Sequence, residues 1–375
     1  MNITVVGAGV VGLVTALTLE EHGHDVQVVA AATGDAITSA VAGACWFPYR
    51  AGPPDRVALW AAQTRAWLTA LAGDPEAGVA RITGYEITPD VADPASLAGP
   101  GGPAGSVGPA GLAGPGPAGS ASLAGLAGPA NPAGATGPAS SPALVGPPTA
   151  PLPPWWAAHI TVDRAPAPVT GGPLAWRYGS LAIEPARFLP WLARQLRRPI
   201  EHRPVRELAA EPGDAVVHCT GLAARELAGD DTLTALLGQV VITEVGTADR
   251  SITVTDTRDP DALFYLIPRR DELVLGGCSI PWPCPWPVAS SPPGRPGHAA
   301  GPPPEDPALT ARILAHAGAL GFTVGAVRRV RVGLRPYRPE IRLERAGRII
   351  HNYGHGGAGY TLCRGCADAV AALIA

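Results

Sequence analysis

The chain opens with short apolar runs on either side of one helical stretch. Residues 2–6 (NITVV) are nearly all apolar, which is typical of a strand buried on both faces. A glycine turn follows, then a helical pattern through Glu21 and a second apolar run, HDVQVVA. This order predicts a strand–helix–strand unit within a parallel sheet.

The rest of the chain mixes helical and strand patterns. Residues 54–71 predict an amphipathic helix with one apolar face formed by Leu59, Ala62, Trp67 and Leu71. Helices are also predicted at ARFLPWLARQL, at PALTARILAHAGAL and from about Tyr360 onward. Strands are predicted at SLAIEP, DAVVHCTG, GQVVITEV, ALFYLIP, DELVLGG, AVRRVRVGL and GRIIHNYG. Parallel and antiparallel segments interleave, which indicates a mixed α/β (α+β) fold of two domains, each built from several segments.

Two segments have the composition of disordered chain. Residues 94–154 consist almost wholly of Pro, Ala, Gly and Ser, and residues 281–304 form a second Pro-rich stretch. Such segments bury too little apolar surface to offset the entropy of ordering them. We predict both as disordered insertions.

The composition excludes several functional classes. The 375 residues have a formal net charge of -3 and 16% charged residues, so they lack the basic surface of a nucleic-acid-binding protein. The chain has no lysine and cannot form a Schiff base with pyridoxal phosphate. Its six cysteines are scattered, no secretory leader precedes the first strand, and no apolar run has the length of a membrane span. We therefore expect a cytoplasmic protein with reduced cysteines and no membrane or nucleic-acid partner.

Three glycines between the first strand and the first helix form a dinucleotide-binding pattern. In GAGVVG, Gly7 allows the tight turn, Gly9 lets the backbone approach a pyrophosphate, and Gly12 allows close packing of helix on strand. The helix N-terminus adds free N–H groups and a partial positive charge. The pattern predicts a bound dinucleotide but does not separate NAD from FAD. Ala31 replaces the acid expected after the second strand, so either Asp35 or backbone groups and water would hold the ribose.

Arg335 is the strongest candidate for binding a substrate. It lies among apolar residues at a predicted strand end, where an unpaired charge is costly. A substrate carboxylate, bound bidentately by the planar guanidinium, would supply the missing anion. The neighbouring arginines have a simpler interpretation as surface ion pairs, Arg338 and Arg342 with Glu340 and Glu344.

The run IIHNYGHGGAGYTL before the last helix is rich in glycine. Glycine loses more backbone freedom on folding than any other residue, so the cluster indicates a ligand that approaches the main chain closely. His351 and His355 lie on a strand and a glycine loop, where their spacing does not converge on zinc, and no metal site is predicted. Cys363 and Cys366 fall on the predicted helix and are interpreted as structural.

Together these motifs resemble the D-amino-acid oxidase family of FAD enzymes, which includes D-aspartate oxidase. The resemblance runs from end to end apart from the two insertions. It rests on VVGAGVVGL, TSAVAGACWFPY, VVHCTGL, FYLIP, GLRPYRPEIRLE and IIHNYGHGGAGYTL, in the family's order. It implies an FAD-binding Rossmann-like domain over 1–52, 180–231 and 336–375, and a largely antiparallel β substrate domain over 53–179 and 232–335.

The resemblance also implies the roles of individual residues. Arg335 would pair with the substrate carboxylate, Tyr265 would donate its hydroxyl to the same group, and the backbone of Gly357 would accept a hydrogen bond from the substrate amine. The substrate pocket would include Phe47, Tyr49 and Asp261. FAD would contact Gly7, Ala8, Gly9, Val10, Val11, Gly12, Thr38, Ser39, Ala44, Cys45, Val205, Thr220, Gly356, Gly357, Ala358, Gly359, Tyr360 and Thr361.

The implied reaction is the oxidative deamination of a D-amino acid. A hydride passes from Cα to flavin N5, O2 reoxidises the flavin to give H2O2, and water hydrolyses the imino acid to a 2-oxo acid and ammonia. This chemistry needs no side-chain base, because the protein contributes orientation and electrostatics. Phe47 stands where many relatives have glutamine, and Asp261 or a neighbour stands where some have a second active-site tyrosine. The preferred D-amino acid is therefore open.

Other functions stay open from the sequence alone. The glycine pattern by itself also fits an NAD(P) dehydrogenase. Ala31 and the long insertions fit a flavin-binding protein with impaired catalysis or none. A glycine or secondary-amine oxidase shares the flavin chemistry but fits GLRP and HNYGHGG less well, and D-aspartate is an alternative substrate. A homodimer is also open.

Overall fold

The computed structural model describes residues 1–89, 153–259, 262–283 and 303–375. Almost all of the two predicted insertions, 94–154 and 281–304, lies outside these described residues, as does Asp261. No helix in the described ranges is both long and apolar enough to span a membrane.

The strands of the described residues form one mixed sheet. They are β1 (Asn2–Val6), β2 (Asp25–Ala30), β3 (Val79–Ile87), β4 (Val162–Pro166), β5 (Leu174–Ile183), β6 (Glu201–His202), β7 (Ala215–His218), β8 (Thr234–Thr243), β9 (Ile252–Asp256), β10 (Phe264–Pro268), β11 (Leu273–Gly276), β12 (Ile280–Trp282), β13 (Val327–Ala346) and β14 (Ile349–His355). Their order is β4-β5-β3-β9-β10-β11-β8-β13-β14-β7-β1-β2-β6, and β12 pairs with β8.

One part of this sheet is parallel and the other is largely antiparallel. β14, β7, β1, β2 and β6 pair in parallel, whereas β8, β9, β10, β11 and β13 form antiparallel pairs. The mixed α/β class predicted from the sequence is confirmed. The assignment of the two parts to discontinuous domains stays a prediction.

The described helices pack against this sheet and against one another. They are α1 (Val10–Glu21), α2 (Thr38–Val41), α3 (Pro54–Leu71), α4 (Pro185–Gln195), α5 (Ala224–Leu227), α6 (Pro307–Ala319) and α7 (Gly359–Ile374). The largest buried cluster joins α1, α3, α4 and α7 to the parallel strands, and a second cluster joins α6 to β8, β10 and β11.

The predicted strand–helix–strand opening is present. β1 pairs in parallel with both β2 and β7 and is buried except at its first residue. Gly7 has a φ of +115°, and a Cβ on Gly12 would lie 1.9 Å from the Gly7 carbonyl oxygen. Only glycine at both positions lets α1 begin this close to the turn.

β13 is much longer than the predicted strand AVRRVRVGL. It runs for 20 residues because it changes partner along its length. It pairs with β8 as far as Tyr337, which is also opposite His355 of β14, and after a register shift the pairing with β14 continues from Arg342. Arg335, expected at a strand end, therefore lies inside a strand, opposite Leu236.

The predicted apolar face of α3 was wrong at Leu59, whereas Trp67 and Leu71 are partly buried against the core. Leu59 is 46% exposed, and the buried stripe runs instead through Val57, Trp60, Thr64 and Leu68. The apolar residues of α3 occur on nearly every side of the helix, so their spacing does not select one face. The close approach of α7 selects it, because the Gly365 N–H donates to Thr64 Oγ1 at 3.0 Å.

We predict that Gly365→Ala destabilises the fold. A Cβ there would lie 2.3 Å from the Trp60 Cα, so α3 and α7 would have to separate, at a cost of about 1–3 kcal/mol. Gly318→Ala in α6 is the matched control, because a Cβ at Gly318 meets no atom within 4 Å. Urea unfolding of both variants measures the difference. Wild-type stability in Gly365→Ala would show that the helices do not pack this closely.

Candidate active site

A cavity of about 350 Å³ lies where the parallel and antiparallel strands meet. Its wall combines the turn after β1, the end of β2, α2 with the loop that follows it, the turn after β7, and the glycine run after β14. Residues of β8, β9, β10 and β13 complete the wall. The cavity thus draws on every segment that the sequence motifs singled out.

Most of the predicted site residues line this one cavity. They are Gly7, Ala8, Gly9, Val10, Val11, Thr38, Ser39, Ala44, Cys45, Phe47, Tyr49, Val205, Thr220, Tyr265, Arg335, Gly356, Gly357, Gly359 and Tyr360. Three others lie behind the wall, Gly12, Ala358 and Thr361, of which Thr361 is 1% exposed. Their part is to support the wall, as Thr361 does by hydrogen bonding to the backbone of Phe47.

The turn before α1 presents backbone to the cavity. Ser39 Oγ accepts a hydrogen bond from the Val10 N–H at 3.1 Å, and a Cβ on Gly9 would lie 3.1 Å from the same oxygen. The first N–H groups of a helix have no partner within the helix, so this end of α1 can bind an anion.

Asp35 does not lie at the position of the missing acid. Its carboxylate is 3.0 Å from Arg331 on β13 and is largely exposed, while Ala31 and Ala32 line the cavity. The structure therefore supports backbone contacts at this point rather than a carboxylate from Asp35.

The glycine-rich segment at the end of β14 and just after it forms a wall that presents mostly backbone. Gly354 and Gly356 have φ values of +90° and +55°, which glycine adopts most readily. A Cβ on Gly357 would lie 3.0 Å from Tyr49 Cδ1 and 3.5 Å from Arg335 Cδ. α7 starts immediately afterwards, so its N-terminal N–H groups lie at the same wall.

Two polar atoms of this wall lack partners. The Oδ1 of Asn352 and the Nε2 of His355 are buried, and neither has a hydrogen-bond partner among the described residues. Both residues belong to the glycine-rich motif, although the motif alone did not mark them as ligand contacts. Buried polar groups are normally hydrogen-bonded, so these two atoms fit a polar ligand.

Arg335 and Tyr265 lie together on the antiparallel side of the cavity. Nη1 of Arg335 donates to the carbonyl oxygens of Cys278 and Leu237, at 2.9 and 3.3 Å. Among the described residues, no Asp or Glu forms an ion pair with Arg335. Burial raises the pKa of Tyr265, and the neighbouring Arg335 charge opposes that rise, so the hydroxyl keeps its proton near neutral pH.

The neighbouring arginines do form ion pairs, one of them with an unexpected partner. Arg342 pairs with Glu344 at 2.7 Å, as predicted. Arg338 instead pairs with Asp230 at 2.9 Å, and that carboxylate also accepts from the Tyr353 hydroxyl. Arg335 is thus the arginine of this motif that faces the cavity without an acid.

No carboxylate lines the described part of the cavity wall. Burial lowers the pKa of His355 to about 4 and raises the pKa of Cys45 to about 12, so both are uncharged near neutral pH. No described wall residue is therefore a ready base at neutral pH. Among the described residues, no three His, Cys, Asp or Glu side chains group as a metal site would.

An aromatic cluster supports the Phe47 side of the cavity. The Phe47 ring lies 5.8 Å from the Trp156 ring and 6.2 Å from the Tyr178 ring, centroid to centroid. Beneath them, Glu86 accepts a hydrogen bond from Trp156 Nε1 at 3.2 Å. Burial raises the pKa of Glu86 to about 7, although the Trp156 and Thr257 hydrogen bonds oppose the rise.

This fold and this cavity define a dinucleotide-binding flavoprotein, in which glycine turns and two helix N-termini surround the ligand. The model of the FAD dependent oxidoreductase family matches residues 2–101 and 143–373, and the chain belongs to that family. The resemblance noted from the sequence motifs is confirmed.

Named relatives agree with this assignment. The chain is 32% identical to a D-amino-acid oxidase of Rubrobacter xylanophilus, over 98% of this chain and 94% of the relative. It is 30% identical to a D-amino-acid oxidase of Streptomyces coelicolor, over 99% and 96%. The crystal structure of glycine oxidase from Geobacillus kaustophilus shares the fold, with a TM-score of 0.66, 15% identity and coverage of 99% and 94%.

FAD is the cofactor of this family, and the cavity residues fit it. The backbone of Gly7–Val11 and the start of α1 suit the pyrophosphate, and the wall of Gly356, Gly357 and Gly359 suits a planar ring. The unpartnered Asn352 and His355 atoms lie in the same wall.

We predict that Glu86 makes folding stability fall as pH rises. Its folded-state pKa of about 7 lies above the ordinary 4.5, so between these values the folded chain holds a proton that the unfolded chain has lost. The stabilisation is complete below the unfolded pKa and is lost as pH rises through the folded pKa, by up to about 3 kcal/mol. Glu86→Gln should flatten this dependence, whereas Glu340→Gln on the exposed surface should not. Urea unfolding across this window measures both, and equal pH profiles for wild type and Glu86→Gln would contradict the prediction.

Proposed function

We propose that this chain catalyses the FAD-dependent oxidative deamination of D-amino acids, from D-amino acid, O2 and H2O to 2-oxo acid, NH3 and H2O2. One observation carries the proposal above all. Arg335 faces the cavity beside Tyr265, without an acid from the described residues, and its side chain lies next to the glycine backbone at Gly357. Such a cation supports recognition of a small carboxylate. The relatives named D-amino-acid oxidase support the choice of substrate class.

The substrate is held by three groups of this chain. The Arg335 guanidinium binds the carboxylate, and the protonated Tyr265 hydroxyl donates a second hydrogen bond to it. The carbonyl oxygen of Gly357 accepts from the substrate amine, which orients the Cα–H bond. Phe47 and Tyr49 enclose the substrate side chain. These three polar contacts, together with the aromatic side chains of Phe47 and Tyr49, limit rotation of the substrate. Such orientation accounts for much of an enzyme's rate enhancement.

FAD, when bound, accepts the hydride from Cα and reduces O2. The cofactor is held by Gly7, Ala8, Gly9, Val10 and Val11 at the α1 turn, by Thr38, Ser39, Ala44 and Cys45, by Val205 and Thr220, and by Gly356, Gly357, Gly359 and Tyr360. The N-terminus of α7, which lies at the glycine-rich wall, would stabilise negative charge that develops on bound FAD, by up to about 2 kcal/mol. The described part of the wall carries no carboxylate that would accept the amine proton.

The test is to purify the protein with FAD and to add amino acids without oxygen. D-amino acids should bleach the flavin absorbance and, in air, yield H2O2, whereas L-amino acids should do neither. Glycine, sarcosine and D-aspartate in the same screen separate the neighbouring oxidase activities. Bound FAD that no D-amino acid bleaches would overturn the proposal.

We predict that Arg335→Ala lowers kcat/KM by the equivalent of about 3–5 kcal/mol, because the substrate carboxylate loses its charged partner. Arg335→Lys keeps the charge but loses the planar fork, so its loss should be smaller. Arg329→Ala on the same strand is the matched control, since Arg329 pairs with Glu272 away from the cavity. Steady-state kinetics measure all three, and near-normal turnover in Arg335→Ala would refute the assigned role.

A further inference from the structure

Arg335 and Tyr265 reach the cavity by lying flat across neighbouring strands. The guanidinium of Arg335 crosses β8, where a Cβ on Gly238 would lie 2.3 Å from its Cζ. The ring of Tyr265 crosses β11, where a Cβ on Gly276 would lie 2.1 Å from its Cζ and 2.3 Å from its hydroxyl oxygen. These separations are far inside van der Waals contact, so neither side chain can take this position above any residue except glycine.

The two glycines lie on one face of adjacent strands. Gly276 of β11 is opposite Val240 of β8, and Tyr265 of β10 is opposite Gly276. Side chains alternate along a strand, so Gly238 lies on the same face as Val240, two residues away. Arg335 comes from β13 on one side of this pair of strands, and Tyr265 comes from β10 on the other. The side chains of Arg335 and Tyr265 therefore approach each other from opposite sides, above the backbone of Gly238 and Gly276.

The same backbone fixes the orientation of the guanidinium. The two carbonyl groups that accept from Nη1 belong to Leu237, which precedes Gly238, and to Cys278, two residues after Gly276. The guanidinium of Arg335 therefore rests on Gly238. One of its edges donates to the carbonyl groups of Leu237 and Cys278, which lie within two residues of the two glycines. A change in either glycine moves the group that would bind the carboxylate.

We propose that Gly238 and Gly276 are positioning residues for carboxylate recognition, which set the height of Arg335 and Tyr265 above the sheet. This inference rests on the proposed function. A methyl group at either position lifts the side chain above it by about 1.5 Å, the amount that restores van der Waals contact from these short separations. Misplacement of that size in a substrate-binding group costs about 100-fold in catalysis. Neither glycine is among the residues predicted to hold FAD.

The experiment compares Gly238→Ala and Gly276→Ala with Gly318→Ala, all loaded with FAD. Benzoate serves as the carboxylate probe, and its Kd is read from the change in flavin absorbance. In both site variants the benzoate Kd and the KM for a D-amino acid should rise by about 10- to 100-fold. The Kd for FAD should stay at the wild-type value, and Gly318→Ala should match wild type throughout. Wild-type benzoate binding in both site variants would overturn the inference.

A stability cycle keeps the inference testable if a variant folds poorly. The steric contact requires that Gly238→Ala destabilises the wild-type chain but costs much less in an Arg335→Ala background, where the overlying side chain is gone. Gly276→Ala should likewise cost less in a Tyr265→Ala background. Urea unfolding of the single and double variants gives the coupling. Additive losses in both cycles would refute the steric role, because alanine would then harm the sheet itself.

The same measurements separate this inference from the proposed function. A wild-type protein that binds FAD but neither benzoate nor any D-amino acid overturns the proposed function. In that case the stability cycles still decide whether the glycines place the two side chains. A wild-type protein that oxidises D-amino acids while the glycine variants bind benzoate normally overturns the inference alone.

Discussion

A positive charge held against bare backbone is the constraint on which the rest of this cavity depends. Arg335 lies on an interior stretch of β13, and its guanidinium rests on Gly238 with two carbonyl oxygens at one edge. These carbonyls offer only partial negative charge, so the guanidinium still favours an anion. In the proposed function, this cation binds the carboxylate of the substrate.

The glycine-rich wall next to Arg335 is matched to this arrangement by what it lacks. From Gly354 to Gly359 the chain presents mostly backbone, and the His355 side chain within it is uncharged because burial lowers its pKa to about 4. The charges that act in the cavity are therefore Arg335 and the partial charges of two helix ends. Fixed dipoles of this kind need no rearrangement when charge moves, so they suit the hydride transfer of the proposed function.

Local patterns predicted much of this structure, and long-range packing decided the rest. The turn of Gly7, the span of α3 and the start of α7 follow from spacing and from the demands of glycine. The length of β13 did not, because a strand that changes partner depends on β8, far away in sequence, as well as on the neighbouring β14. The inner face of α3 depends in the same way on Gly365 of α7.

In the candidate site, too, some residues could be predicted from local sequence and others depend on long-range packing. Arg335 stood out because a lone charge among apolar residues is visible in the sequence, and the cavity contains it. Asp230, which pairs with Arg338, carried no such signal, since only the fold brings the two together. Nor did the sequence offer a reason to single out Gly238 and Gly276. The role of a glycine within a strand can be assigned only when the side chain that crosses it is known.

Thr361 joins two parts of the chain that are made at very different times. Its hydroxyl accepts from the Phe47 N–H and donates to the Phe47 carbonyl, across 314 residues of sequence. At translation rates of roughly 5–20 residues per second, about 15–60 s separate the synthesis of these two partners. During that interval the loop that carries Phe47 lacks its hydrogen bonds to Thr361. The cofactor cavity is therefore among the last features that a newly made chain completes.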